Sequence, residues 1–127
     1  MKLIELRILN FVETQAGNII PCTFQTIEAI YHNRGIYNFV PLTDEWFTKF
    51  GFFKDGDFWS KGINDYKYCF KYRDWAKNWA FYQEFTDSPN PEDEGKKYPI
   101  SFDIEYVHQL QNLWFSLTHQ EITIKNY

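Results

Sequence analysis

Tyr106, Leu110, Leu113 and Leu117 recur at spacings of four, three and four, and Val107 and Trp114 flank the same stripe. That is the apolar face of an amphipathic helix with a period near 3.6, and the rest of the chain has to supply what covers it. No Gly or Pro interrupts the run from Asp103 to Thr118, and Asp103 suits the N-cap, where a short side-chain oxygen accepts from free backbone N–H groups. The other side of the helix is unusual. It carries Glu105, His108, Gln109, Gln111, Asn112 and Ser116, so three hydrogen-bonding amides where a plainly solvated helix would carry Lys and Glu. Two readings follow. The amides bond neighbouring loops or water, or Glu105, His108, Gln109, Gln111 and Asn112 form a recognition surface for a partner. The cluster has no acid–base or metal logic of its own.

At 127 residues one domain spanning 1–127 is expected, large enough to bury a core without staples. The net charge of −4 argues against binding duplex nucleic acid or an anionic membrane, because counterion release needs a basic footprint. Aromatic residues make up 21% of the chain, so rings must fill most of the core and an aromatic-lined groove becomes more plausible than usual. Cys22 and Cys69 show no ligand-like spacing. The opening MKLIELRILNF mixes charges with apolar residues and lacks the apolar core of a signal peptide. The simplest expectation is a cytoplasmic chain with two free thiols and no cofactor.

Taken in order, residues 3–12 alternate as a strand and Ala16-Gly17-Asn18 marks a turn. Residues 19–30 read as a second strand with Ile20, Cys22 and Phe24 at period two, and 36–40 as a third, together an antiparallel meander. Thr43 to Phe50 is a short helix: Thr43 suits the N-cap, Asp44 and Glu45 complement the dipole, and Gly51 is placed as a left-handed C-cap. Lys54-Asp55-Gly56-Asp57 is a hairpin turn, and Lys61-Gly62 and Asn64-Asp65 are further turn signals. Tyr66 to Tyr72 is the strongest strand, with Tyr66, Tyr68, Phe70 and Tyr72 on one face and Lys67, Cys69, Lys71 and Arg73 on the other. A strand over 79–85 is expected to pair with it. Residues 86–97 form a polar, mobile loop, 98–102 a strand feeding the last helix, and 121–125 a closing strand. The fold class is α+β: a mostly antiparallel sheet packed by a short middle helix and a longer C-terminal helix.

Three phrases, LRILNFV, PLTDEWFTKFGF and YVHQLQNLWFSLTHQEITI, together resemble a group of small proteins from phages and prophages of Bacteroidetes. That group has LRIGNYV-like, PLTEEWLLKFGF-like and YVHQLQNLYFALTGEEL-like segments. The resemblance implies a mobile-element origin and a small α+β fold, and it transfers no catalytic residue. Leu9 and His119 stand where the group tends to carry Gly. The first strand is therefore not expected to bend as it does there, and His119 must adopt a left-handed cap or end the helix differently.

No nucleophile elbow, phosphate loop, dinucleotide fingerprint or zinc-protease signature is present. The carboxylate pairs are explained by turns, a helix start and a polar loop, so an enzyme is disfavoured, with a nucleotide hydrolase as the residual case. The best ligand candidate is the basic face Lys67, Lys71 and Arg73, flanked by Lys61 and Lys77, with Trp75, Trp79 and Tyr82 nearby. Cations interleaved with rings suit a phosphate-plus-base ligand. The plainer reading is that lysines on a strand discourage edge pairing. Two functions follow as expectations. One is a non-enzymatic phage or prophage accessory protein that covers a host protein's surface, with counter-defence as a role. The other is a protein that sequesters a nucleotide or cyclic nucleotide, with a homo-oligomer interface as one place for the pocket.

Overall fold

The structure, a computed structural model, describes residues 6–32, 35–63, 66–85 and 96–124. The chain is α+β, with antiparallel strands and, among the described residues, helices at Phe24–Tyr31 (α1), Asp44–Lys49 (α2) and Val107–Thr118 (α3). The strands form two sheets where one was expected, and the chain divides into two compact units. The first runs to Leu42 and resumes over Tyr106–Ile122; the second is built on Thr43–Glu105.

In the first unit the central strand is β1 (Phe11–Thr14), with β2 (Ile19–Pro21) and β3 (Tyr37–Phe39) antiparallel on either side. The order β2-β1-β3 corrects the meander, and two local causes shift the elements. Leu9 sits in a left-handed conformation at φ 77°, in a turn where the Arg7 N–H donates to Asn10 Oδ1 at 2.6 Å. Residues 3–5 of the expected strand over 3–12 lie outside the described residues; of the rest only Phe11 and Val12 are in a strand, and the chain does bend at Leu9. Thr23 then starts a helix: its hydroxyl accepts from the Thr26 N–H at 3.2 Å, so the segment read as a period-two strand becomes α1 from Phe24. Ile27 and Ile30 of that helix pack on the Leu6, Val12 and Cys22 core.

α3 starts at Tyr106, not at Asp103, which lies in a strand. The Gln109 side chain accepts from the Tyr106 N–H at 3.0 Å, and Val107 N–H donates to Val40 at 2.8 Å. The helix ends on His119, left-handed at φ 59°, one of the two endings its sequence allowed. Residues 121–124 form no strand; a closing strand reaching 125 falls partly outside the described residues. Leu9 and His119 thus both adopt positive φ. An L side chain there costs about 1–2 kcal/mol. Part of that gain is lost to the greater freedom of Gly in the unfolded chain. Leu9→Gly and His119→Gly are each expected to raise stability by about 0.5–1 kcal/mol in urea unfolding; a lowered midpoint would contradict this backbone assignment.

The second unit is a five-stranded antiparallel sheet in the order β4 (Phe53–Asp55), β5 (Phe58–Ile63), β6 (Tyr66–Arg73), β7 (Asn78–Phe85) and β8 (Lys97–Ile104). Its short helix α2 ends as its sequence suggests. Gly51 is left-handed at φ 84°, the Gly51 N–H donates to Thr48, and the Phe52 N–H to Phe47, a Schellman closure. The Gly56-Asp57 turn joins Asp55 to Phe58. Lys61 and Gly62 continue β5 rather than turning; the Asn64-Asp65 turn and residues 86–95 of the polar loop lie outside the described residues. Phe47 is fully buried against Phe52, Phe70, Trp59 and Trp79, with ring centroids 4.7–6.0 Å apart. One sheet face is therefore the aromatic core. Alternation along β6 leaves Lys67, Lys71 and Arg73 on the other face.

Candidate functional site

The register decides which candidates share a side. Tyr82 pairs with Cys69, so it lies on the Lys67–Lys71–Arg73 face. Trp79 pairs with Tyr72, contacts Phe47 at 4.7 Å and is 4% exposed; it packs in the core and also lines the cleft that Lys71 borders. Lys61 leaves the basic face, because its ammonium donates to the Phe50 carbonyl at 2.7 Å, completing the end of α2.

On the basic face most of the positive charge is already matched. Glu84, nearly buried, takes Lys67 at 3.3 Å and Lys97 at 3.0 Å, and Lys97 also approaches Asp55 at 3.6 Å. Burial pulls the Lys97 pKa down, but hydrogen bonding and charge from Glu84, with Asp55, outweigh it and hold the ammonium above its ordinary 10.5. Two ammonium groups flank the Phe58 ring, Lys97 at 5.0 Å and Lys71 at 5.8 Å from its centroid, and Tyr82 meets the ring edge-on at 5.1 Å. Beyond Lys71, a cleft of about 330 Å³ is lined by Asp44, Asp57 and Asp74 together with Lys54, Lys71, Tyr72 and Trp79. Three carboxylates against two ammonium groups disfavour a phosphate there. The sequence assigns none of Glu84, Lys97, Asp55 and Asp103 to this face, because only strand register brings them there.

The β6–β7 hairpin tip is different. Asn78 Oδ1 accepts from Arg73 Nε at 3.0 Å and from Nη2 at 2.8 Å, and Nη2 also meets Asp103 at 2.7 Å. The guanidinium so fixed lies 4.9 Å from the Trp75 ring centroid. The turn is closed by Ala76 and Lys77 N–H groups, both donating to the Arg73 carbonyl, with Lys77 at φ 57°. Trp75 is nonetheless 82% exposed, the most exposed of the large apolar side chains described.

The amide side of α3 is not a free surface. His108 is fully buried and Gln111 is 2% exposed. Gln111 Oε1 accepts from the Phe11 N–H at 2.9 Å, and its Nε2 donates to the Leu9 carbonyl at 3.0 Å. Asn112 Oδ1 accepts from Arg7 Nε at 2.6 Å and Asn10 Nδ2 at 2.9 Å, and Arg7 completes a 2.7 Å ion pair with Glu121. Gln109 is taken up in the start of the helix, which leaves Glu105 as the one exposed member of the five. The amides bind the N-terminal segment to the helix, the first of the two readings. The physical reason is that Leu9 and Phe11 offer backbone groups that strand pairing does not satisfy.

Neither thiol is poised for chemistry. Burial raises the Cys22 pKa from 9.0 to about 11, and burial also raises that of Cys69, partly offset by the Ser60 hydroxyl donating to its sulfur at 3.2 Å. A folded-state pKa above the unfolded one gives stability that is fully present below about pH 9 and lost as pH rises through 11. For Cys22 this amounts to about 3 kcal/mol, and Lys97, also raised, has the same sign. Both thiols should resist a thiol reagent at pH 8 until denaturant is added, and stability should fall between pH 9 and 11. Rapid native labelling would refute the burial.

Among the described residues no group of three or more His, Cys, Asp or Glu is placed to hold a metal ion, and no helix is long and apolar enough to cross a membrane. No protein-family model, curated protein or solved structure matches the chain.

Proposed function

We propose that this is a non-enzymatic binding protein of phage or prophage origin that acts in its bacterial host by covering a partner protein's surface, with Trp75 as an anchor. The observation that carries the reading is an indole 82% exposed on a hairpin tip whose neighbouring arginine is fixed by three polar contacts. Folding gains little from so exposed a ring. Association gains much, because a Trp buries about 150–250 Å², and a tip already held in shape loses little freedom on binding. Trp and Arg are the residue types that dominate protein interfaces energetically. The phage origin rests on the resemblance of the three phrases LRILNFV, PLTDEWFTKFGF and YVHQLQNLWFSLTHQEITI. The nucleotide reading is weaker, since Glu84, Asp55 and Asp103 already match Lys67, Lys97 and Arg73.

The test is capture from a host lysate with the tagged protein and a Trp75→Ala control of equal thermal stability. A host protein held by the wild type and lost by the variant supports the reading. Equal capture, or a nucleotide recovered with the purified wild type and no protein partner, overturns it.

A further inference from the structure

We infer that α1 is a docking helix whose outward stripe, Phe24–Glu28–Tyr31, seats in an apolar groove of a partner protein with a Lys or Arg at its middle. The inference rests on the protein-binding reading but uses residues of the other unit and not Trp75. At 100° per residue, positions 24, 28 and 31 fall on one narrow stripe, while Thr26 and Ile30 point away from it and Ile27 lies on the flank beside Tyr31. Burial follows that division. Ile27 and Ile30 pack on the unit's core and Thr26 is buried, whereas Phe24 and Tyr31 are 70% and 68% exposed. An eight-residue helix normally turns its rings inward; here both large rings face out, roughly 10 Å apart along the axis. Thr23 caps the helix through its hydroxyl, and His32 packs edge-on against Tyr31 at 5.2 Å, so the stripe is held at both ends.

Glu28 selects the occupant. It is exposed and sits between the two rings. A second copy of the chain would pair antiparallel, Phe24 against Tyr31, and that places the two Glu28 carboxylates together at the symmetry axis. Like charges so placed oppose association. A heterologous groove with two apolar pockets and a cation between them satisfies all three side chains. This is the helix-in-groove mode of recognition, with anchors at i and i+7 and a charge at i+4.

The experiment places a photo-reactive phenylalanine analogue at Gln25, an exposed position beside the stripe, in the full chain expressed in the bacterial host. The expected result is an adduct with one host protein at a peptide containing a Lys or Arg among apolar residues. Glu28→Lys should lower its yield at least tenfold, with Phe24→Ala acting similarly, and circular dichroism and Tm unchanged for Glu28→Lys. An adduct only with a second copy of the chain, no adduct, or a yield indifferent to Glu28→Lys overturns the inference. Trp75→Ala separates the two readings. An adduct sensitive to Glu28→Lys but not to Trp75→Ala leaves the α1 inference standing without the hairpin anchor. Capture lost in Trp75→Ala with an adduct indifferent to Glu28→Lys leaves the hairpin anchor and removes α1.

Discussion

Phe47→Ala is expected to destabilise the five-stranded unit by about 3–5 kcal/mol, the largest effect of any single substitution proposed. Phe47 is fully buried, and its ring meets four others, Phe52, Trp59, Phe70 and Trp79. Removing it deletes a side chain and leaves a cavity that β-sheet backbone cannot collapse to fill. A small protein is stable by only about 5–15 kcal/mol in all, so the loss is a large fraction of the whole. Trp59 and Trp79 make the effect visible in near-ultraviolet circular dichroism as well as in the urea midpoint. Phe47→Leu, which keeps most of the volume, should lose much less. A near-neutral Phe47→Ala would show that α2 does not pack on the aromatic face of the sheet.

Gln111→Ala is the second large effect, at about 2–4 kcal/mol. It strands two backbone groups at once, the Phe11 N–H and the Leu9 carbonyl. Each buried polar group left without a partner costs about 1–3 kcal/mol. Gln111→Glu should be comparably damaging, because an ionised carboxylate cannot donate to the Leu9 carbonyl and is itself costly to bury. This substitution separates the two readings of the amide face. A side chain in solvent would tolerate the change within about 0.5 kcal/mol. Urea unfolding of Gln111→Ala beside Ser116→Ala, an exposed position on the same helix, makes the comparison internal.

What was legible in the sequence was what local chemistry decides. The period of two in β6, the Asp-Gly hairpin and the Gly51 ending of α2 all depend on residues within a few positions of each other, and all are present. α1 was missed because Ile20, Cys22 and Phe24 mimic a strand, while the deciding signal was one hydroxyl, that of Thr23. The amide face of α3 kept two readings open for a different reason. Its partners lie 100 or more residues away, at Arg7, Leu9, Asn10 and Phe11, and spacing along the chain carries no trace of them. The basic face fared between these. β6 shows its lysines, but Glu84 and Lys97, which settle how much charge is left over, come from β7 and β8. Trp75 was in view only as one ring among several, since exposure is not written in a sequence with 21% aromatic residues.

The central claim is that the fixed, exposed indole at the β6–β7 tip is an anchor for a protein partner. Titration of the captured host protein against wild type and Trp75→Ala tests it most directly. Trp75→Ala is expected to lose affinity about 30- to 1,000-fold, the range that 2–4 kcal/mol at an interface anchor implies, at an unchanged Tm. An unchanged Kd for Trp75→Ala would contradict it.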